Sequence, residues 1–265
     1  MITIVPVSTP DKKLLNKEEI EAAVAIVEVI NRWFQNIGLG IGSADLQVIK
    51  WPSLGYPLFS PHSLNPGFPC DQIYISMDQY TRWDQFIFQA SHEFTHCVIH
   101  RLNTREEQKV SWIEETICEA MSLVFLNTFA NNWSKCTLSK NDPSYRAFIQ
   151  DYLGKQLKNH GNHRLENCHG IEELHEINRT SEDQREDRRE ERNRLFRLIR
   201  SSMDIQALAH YRDFVVPGTI LLDIQRYQGE YLSSRPVQYL CSLQENALRR
   251  DAVTAKVSEE ETDGI

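Results

Sequence analysis

The chain has 265 residues, of which 41% are hydrophobic and 25% charged, and a formal net charge of −8. That length can bury a proper core as one large domain or two small ones, and the composition is that of an ordinary globular protein. The acidic balance argues against nucleic acid as a partner, since phosphate binding wants a basic surface, and no apolar run approaches the ~20 residues that span a bilayer.

In chain order, residues 2–7 form a short β-branched run punctuated by Pro6, which predicts a first strand. Residues 17–37 carry Ile20, Ala23, Val24, Val27, Ile30 and Phe34 at intervals of three and four, the spacing of an amphipathic helix, and Gly38 and Gly40 stop it. A second strand is predicted at 46–51. Residues 52–69 hold five of the ten prolines and read as a long irregular loop. Residues 72–77, QIYISM, read as a strand. Thr81-x-x-Asp84 then reads as the cap of a helix running to about residue 102, with apolar residues on most sides. Residues 110–129 form the next helix. Helices are further expected at 145–157, 181–201, 205–214, 218–227 and 237–249. The charged first half of 181–201 reads as a solvated face.

Six cysteines, at 70, 97, 118, 136, 168 and 241, show no C-x-x-C and no regular spacing. They read as reduced, buried thiols of a cytoplasmic protein. The opening residues carry no signal peptide, which adds to the expectation of a soluble cytoplasmic chain. His160, His163, Cys168, His169 and His175 make a Cys/His-rich stretch whose spacing matches no zinc module, so a surface loop without metal is expected there.

The helix predicted up to residue 102 contains His92-Glu93-Phe94-Thr95-His96, an H-E-x-x-H pattern. Positions i and i+4 share a helix face, so both imidazoles can meet one metal ion, and Glu93 can act as general base toward a water on that ion. After eighteen intervening residues, Cys97 to Glu114, stands Glu115, on the following helix. Two His, one Glu and a fourth position left for water are the donor set of a catalytic zinc site rather than a structural one. Glu114, at a spacing of seventeen, is the competing carboxylate. Glu115 is preferred because Glu119 stands one turn further on. His100 continues the i+4 series, but three successive turns span too far for one ion, so it is expected outside the ligand set.

With these residues in place, the segment from Ile73 to Val124 resembles the gluzincin metallopeptidases. The run from Trp112 to Ala120 is similar to the stretch around the third ligand in the aminopeptidases of that group, with Trp three residues before the ligand and an acid four after it. The resemblance implies a zincin-like α+β fold, Zn2+ on His92, His96 and Glu115, and Glu93 as base. It implies Glu119 as the acid that orients a ligating His. It also implies a Tyr or His from the helical half as donor to the oxyanion, with His210 and Tyr211 the candidates. In zincin folds the strand before the metal helix tends to be the sheet edge facing the substrate, here residues 72–77. Thr116 departs from the Gly of the aminopeptidases, and the motif that grips a substrate's amino terminus is not found.

The organisation expected is a zincin-like catalytic subdomain over 1–140, a helical subdomain over 141–256 with the active site in the groove between them, and a frayed acidic tail over 257–265. The function expected is zinc-dependent hydrolysis of a peptide or protein substrate. Two competing readings use the same ligands: a zinc-binding scaffold or sensor of the same fold that is not a protease, and a hydrolase of a non-peptide amide.

Overall fold

A computed structural model describes residues 1–42, 45–158 and 161–262, with side chains up to Arg249. The described residues form an α+β fold, with a four-stranded mixed sheet and a largely helical remainder. They cluster into two compact units: residues 1–104 with 121–158, and residues 105–120 with 159–265. The chain passes between the units after residues 104, 120 and 158, the second time within one long helix; sequence reading places a boundary at residue 140.

In the first unit, strands β1 (Ile2–Ile4), β2 (Leu46–Lys50), β3 (Leu58–Ser60) and β4 (Asp71–Ile75) take the order β1-β2-β4-β3. The first three in that order are parallel, and β3 runs antiparallel to β4. Two expectations are corrected here. The proline-rich segment is not wholly irregular: it holds a 3-10 turn, Pro52–Leu54, and then β3. The strand before the H-E-x-x-H helix is therefore interior, because β3 pairs with its outer side through Leu58↔Tyr74 and Ser60↔Gln72. None of the prolines falls within β3, so each of its residues keeps the N–H a ladder needs.

Helix α1 (Lys17–Asn36) starts at Asn16, whose side chain accepts from the Glu19 N–H while Glu19 reaches back to the Asn16 N–H, a complete capping box. Its inner face buries Ala22, Ala23, Ile26, Val27, Ile30 and Phe34. Phe34 lies against Phe94 and Phe125 at centroid distances of 5.6 and 5.4 Å. Full burial of such a side chain stabilises the fold by about 1.5–3 kcal/mol.

Helix α2 (Trp83–Leu102) is held at both ends. Near its start, the Gln89 amide exchanges two 3.0 Å hydrogen bonds with the backbone N–H and C=O of Ser76, just past β4. At its end, Arg101 donates to Asp71 at 2.8 Å and to the Ile41 and Asp45 carbonyls at 2.7 and 3.0 Å. The expected cap is not formed: Arg82 occupies the N-cap position without a side-chain hydrogen bond. Asp84 instead accepts from the Tyr145 hydroxyl at 2.8 Å, which ties the helix start to the Trp83–Trp133–Tyr145 ring cluster.

Helix α3 (Ser111–Asn132) follows, apolar on most sides. Helix α4 (Arg146–Lys158) lies one residue from its predicted span.

In the second unit, α5 (Ile171–Thr180), α6 (Arg189–Ser202), α7 (Ile205–Ala209) and α8 (Ile224–Glu230) pack on α9 (Arg235–Thr262). Helix α5 lies where sequence reading expected a loose loop; its apolar positions Ile171, Leu174 and Ile177 carry the missed signal, and Leu174 and Ile177 are buried. The helix expected over 181–201 begins only at Arg189. Before it stand a turn and the 3-10 turn Arg185–Arg188. The buried Arg188 guanidinium holds this stretch by donating to the Ser181 and Gln184 carbonyls at 2.6 and 3.3 Å. Residues 257–262, expected to fray, belong to α9, and residues 263–265 lie outside those described.

Candidate metal centre

Helix α2 places His92 and His96 one turn apart, with Nε2 atoms 3.2 Å from each other and ring centroids 4.9 Å apart. Helix α3 supplies Glu115. One ligand atom from each of His92, His96 and Glu115 lies within 4.8 Å of the other two, and all three residues are buried. Among the described residues no other His, Cys, Asp and Glu side chains group in this way.

Burial sets the chemistry. Ser91 and Thr95, also buried in α2, satisfy their hydroxyls by bonding back to the Ile87 and Ser91 carbonyls at 2.6 and 2.7 Å. An imidazole or a carboxylate has no such route within its own helix turn, and burying one is costly without a partner from elsewhere. The donor set fits a metal on distance as well as type. Two ligands about 2.05 Å from a tetrahedral zinc stand roughly 3.3 Å apart, close to the separation of the two Nε2 atoms. Glu93 is 2% exposed, and its Oε1 is 3.9 Å from His92 Nε2.

The two adjacent carboxylates of α3 differ in their surroundings. Arg212 takes Glu114 in a two-pronged grip, Nε to Oε2 at 2.9 Å and Nη2 to Oε1 at 3.0 Å. The Tyr211 hydroxyl also donates to Glu114 and accepts from the Val110 N–H at 3.2 Å. Burial, with the Glu114 charge beside it, pushes the Tyr211 hydroxyl well above its usual range. Burial acts to lower the Arg212 pKa, but Glu114 outweighs it and raises the guanidinium.

The two expected oxyanion donors each have a partner within their own unit. Tyr211 is committed to Glu114, which leaves the helix about 100° round from Glu115. His210 pairs with Asp213 at 3.2 Å. His100 is buried and outside the His–His–Glu group, with its Nε2 3.3 Å from Ser63 Oγ and its ring 5.7 Å from that of Phe59.

Glu119 is 3% exposed, and its charged neighbours are Arg192, Arg188, Arg185 and Glu115. Burial raises its pKa against the pull of the three arginines. Sequence reading treated those arginines as parts of a solvated face, yet Arg188 and Arg192 are 1% and 2% exposed. A helical spacing of three and four from Arg185 was the signal that could have grouped them.

In the Cys/His-rich stretch, the Cys168 thiol donates to the Gly170 carbonyl at 3.3 Å, His163 lies 3.1 Å from Glu166, and His175 falls on α5. His160 lies outside the described residues. All six cysteines are free thiols, and burial pushes Cys97 up to about 12. No helix among the described residues is long and apolar enough to cross a membrane.

No family model, curated protein or solved structure matches this chain. The functional argument therefore stands on the site itself.

Proposed function

We propose that the protein is a zinc-dependent hydrolase of zincin-like fold, a metallopeptidase that cleaves peptide bonds. One observation carries the reading: the buried convergence of His92, His96 and Glu115, with the Glu93 carboxylate beside His92. His92, His96 and Glu115 would hold the ion, which when bound would supply Lewis acidity toward a carbonyl and a water.

The chain's own residues do the remaining work. Glu93 leaves α2 about 100° round from His92, so it faces the position next to the ligand set rather than joining it. Its carboxylate takes a proton from the attacking water and returns it to the leaving amine. Arg212 and Tyr211 hold Glu114, so Glu115 is the α3 carboxylate that would hold the ion. The partner is a peptide or protein substrate. The compartment is the cytoplasm, a reading supported by the six free thiols.

Metal analysis of purified protein, followed by a peptide-library screen of the zinc-loaded form, tests the reading. One zinc per chain together with cleavage supports it. Protein that stays metal-free in added zinc removes it. Zinc binding without cleavage of any peptide transfers the site to a non-proteolytic zinc protein or to a hydrolase of another amide.

A further inference from the structure

In the first unit, the segments that leave the carboxyl ends of the parallel strands β1, β2 and β4 line a groove of about 640 Å³. Ser8 follows β1, Lys50 closes β2, Asp78 and Gln79 follow β4, and Asn16 and Glu19 stand at the start of α1. Loops that diverge from the carboxyl ends of parallel strands leave a crevice there, and open sheets hold their ligands in it. The volume is that of a small-molecule site. A second cavity of about 410 Å³ shares Pro52, Asp78 and Gln79 with the groove and continues to Arg82 and Gln85 at the start of α2.

The wall of the groove contains a buried ion pair. Lys50 Nζ lies 2.6 Å from Glu19 Oε1, with the two side chains 9% and 10% exposed. Removing such a pair from water is costly, and apolar side chains of the same volume often serve a fold as well. Stability alone therefore does not account for charge at this position. The two members differ in the capacity they have left. Glu19 also accepts from the Asn16 and Tyr80 N–H groups, each at 3.3 Å. The Lys50 ammonium has three donors and, among the described residues, gives one hydrogen bond, to Glu19. Its other contact is the face of the Tyr80 ring, 5.4 Å from Nζ to the centroid. Donors at the floor thus remain for the oxygens of a ligand.

The rim has the opposite character. Asp11, Glu18 and Asp78 are exposed and form no ion pair among the described residues. With Glu19 they set four carboxylates against the ammonium groups of Lys13 and Lys50. That balance repels a phosphate or another polyanion and favours a ligand with a cationic end. The ligand that fits has oxygen acceptors at one end and a positive charge at the other.

We propose that the groove binds a zwitterion of the amino-acid class, a free amino acid or a short peptide, with its carboxylate on the Lys50 ammonium and its α-ammonium among Asp11, Glu18 and Asp78. The adjoining cavity gives room for a second residue. The site belongs to the first unit, uses none of the metal-group residues and stands independently of the zinc-hydrolase reading.

The test uses chelator-treated full-length protein, in which no metal competes for the probes. The standard amino acids, and the dipeptides of alanine with each of them, are screened at millimolar concentration by melting temperature; the tightest probe is then titrated calorimetrically. At least one should raise the melting temperature, because a ligand of the folded state stabilises it. The same probe without its ammonium (N-acetylated) or without its carboxylate (C-terminal amide) should bind at least ~10-fold more weakly, the worth of one charge-assisted hydrogen bond. Whether the tightest probe is an amino acid or a dipeptide separates the two sources.

Lys50→Met should erase the preference for the free carboxylate over the amide. Because that variant leaves Glu19 buried without its partner, a second one is made at the exposed rim. Glu18→Gln combined with Asp78→Asn should fold normally, weaken the zwitterion about 10-fold and leave the N-acetylated probe unaffected. A screen without any stabilising probe overturns the proposal. So does an N-acetylated or amide probe that binds as tightly as the zwitterion. A zwitterion that keeps full affinity for the rim double variant sits elsewhere on the protein and overturns it as well.

Discussion

Arg212 grips both carboxylate oxygens of Glu114, at 2.9 and 3.0 Å, while the adjacent Glu115 groups with His92 and His96. Both glutamates are buried on α3, at 1% and 3% exposure. Sequence spacing separates them by one residue only. Their surroundings differ: Glu114 meets the Arg212 guanidinium and the Tyr211 phenol, while Glu115 groups with His92 and His96 and has Arg185 Nη2 at 3.9 Å.

The two glutamates should therefore fail in different ways. Glu115→Ala should lose zinc and keep most of its metal-free stability. Glu114→Ala should keep zinc and lose about 3 kcal/mol of stability, because it takes the two-pronged partner from the buried Arg212 charge, which keeps Glu106 at 3.3 Å. Zinc content by mass spectrometry and urea unfolding of chelator-treated protein read the two effects separately. Loss of zinc from Glu114→Ala with retention in Glu115→Ala would reverse the assignment.

His96→Ala should abolish zinc binding and the rise in melting temperature that added zinc gives the wild type, since a metal that binds only the folded state stabilises it. Melting curves with and without zinc check this. A variant still stabilised by zinc to the wild-type extent would place the metal elsewhere.

Glu93→Gln keeps the size and hydrogen-bonding shape of the side chain and removes the basic oxygen. It should hold zinc, fold normally and lose hydrolysis by several orders of magnitude, because both proton transfers depend on the carboxylate. The comparison is made with a peptide that zinc-loaded wild type cleaves. Near wild-type turnover by the variant would dismiss Glu93 as the base.

The buried Lys50–Glu19 pair, at 2.6 Å, sets an acid limit on stability. Burial acts to raise the Glu19 pKa, but the hydrogen bond from Lys50 and the N–H groups of Tyr80 and Asn16 outweigh it and hold it below its ordinary 4.5. A depressed carboxyl contributes stability that is fully present above the unfolded value and is lost as pH falls below 4.5 through the folded pKa. Glu19→Gln should flatten that part of the acid limb and lower stability at neutral pH by about 3 kcal/mol, leaving Lys50 buried without its counter-ion. Urea unfolding from pH 7 to pH 3 measures both, and an unchanged acid limb would contradict the account.

The amino-acid sequence by itself determined what depends on neighbours along one helix. The three- and four-residue spacing of Ala23, Val27, Ile30 and Phe34 specifies α1, and the i, i+4 step specifies that His92 and His96 share a face of α2. Burial, strand order and charge partners are relations between distant segments, and only the tertiary structure decided them. Whether residues 71–75 are an edge strand depended on β3, a three-residue strand too short to show a period against its prolines. Glu114 and Glu115 have the same chemistry and adjacent positions, and what tells them apart is the grip of Tyr211 and Arg212, 97 and 98 residues from Glu114. Arg185, Arg188 and Arg192 sit in a run rich in both charges, which reads as solvated until folding removes two of them from water. The face that an arginine covers is a property of the packed unit, because the long charged side chain can lie along solvent or across a neighbouring helix at little difference in local energy.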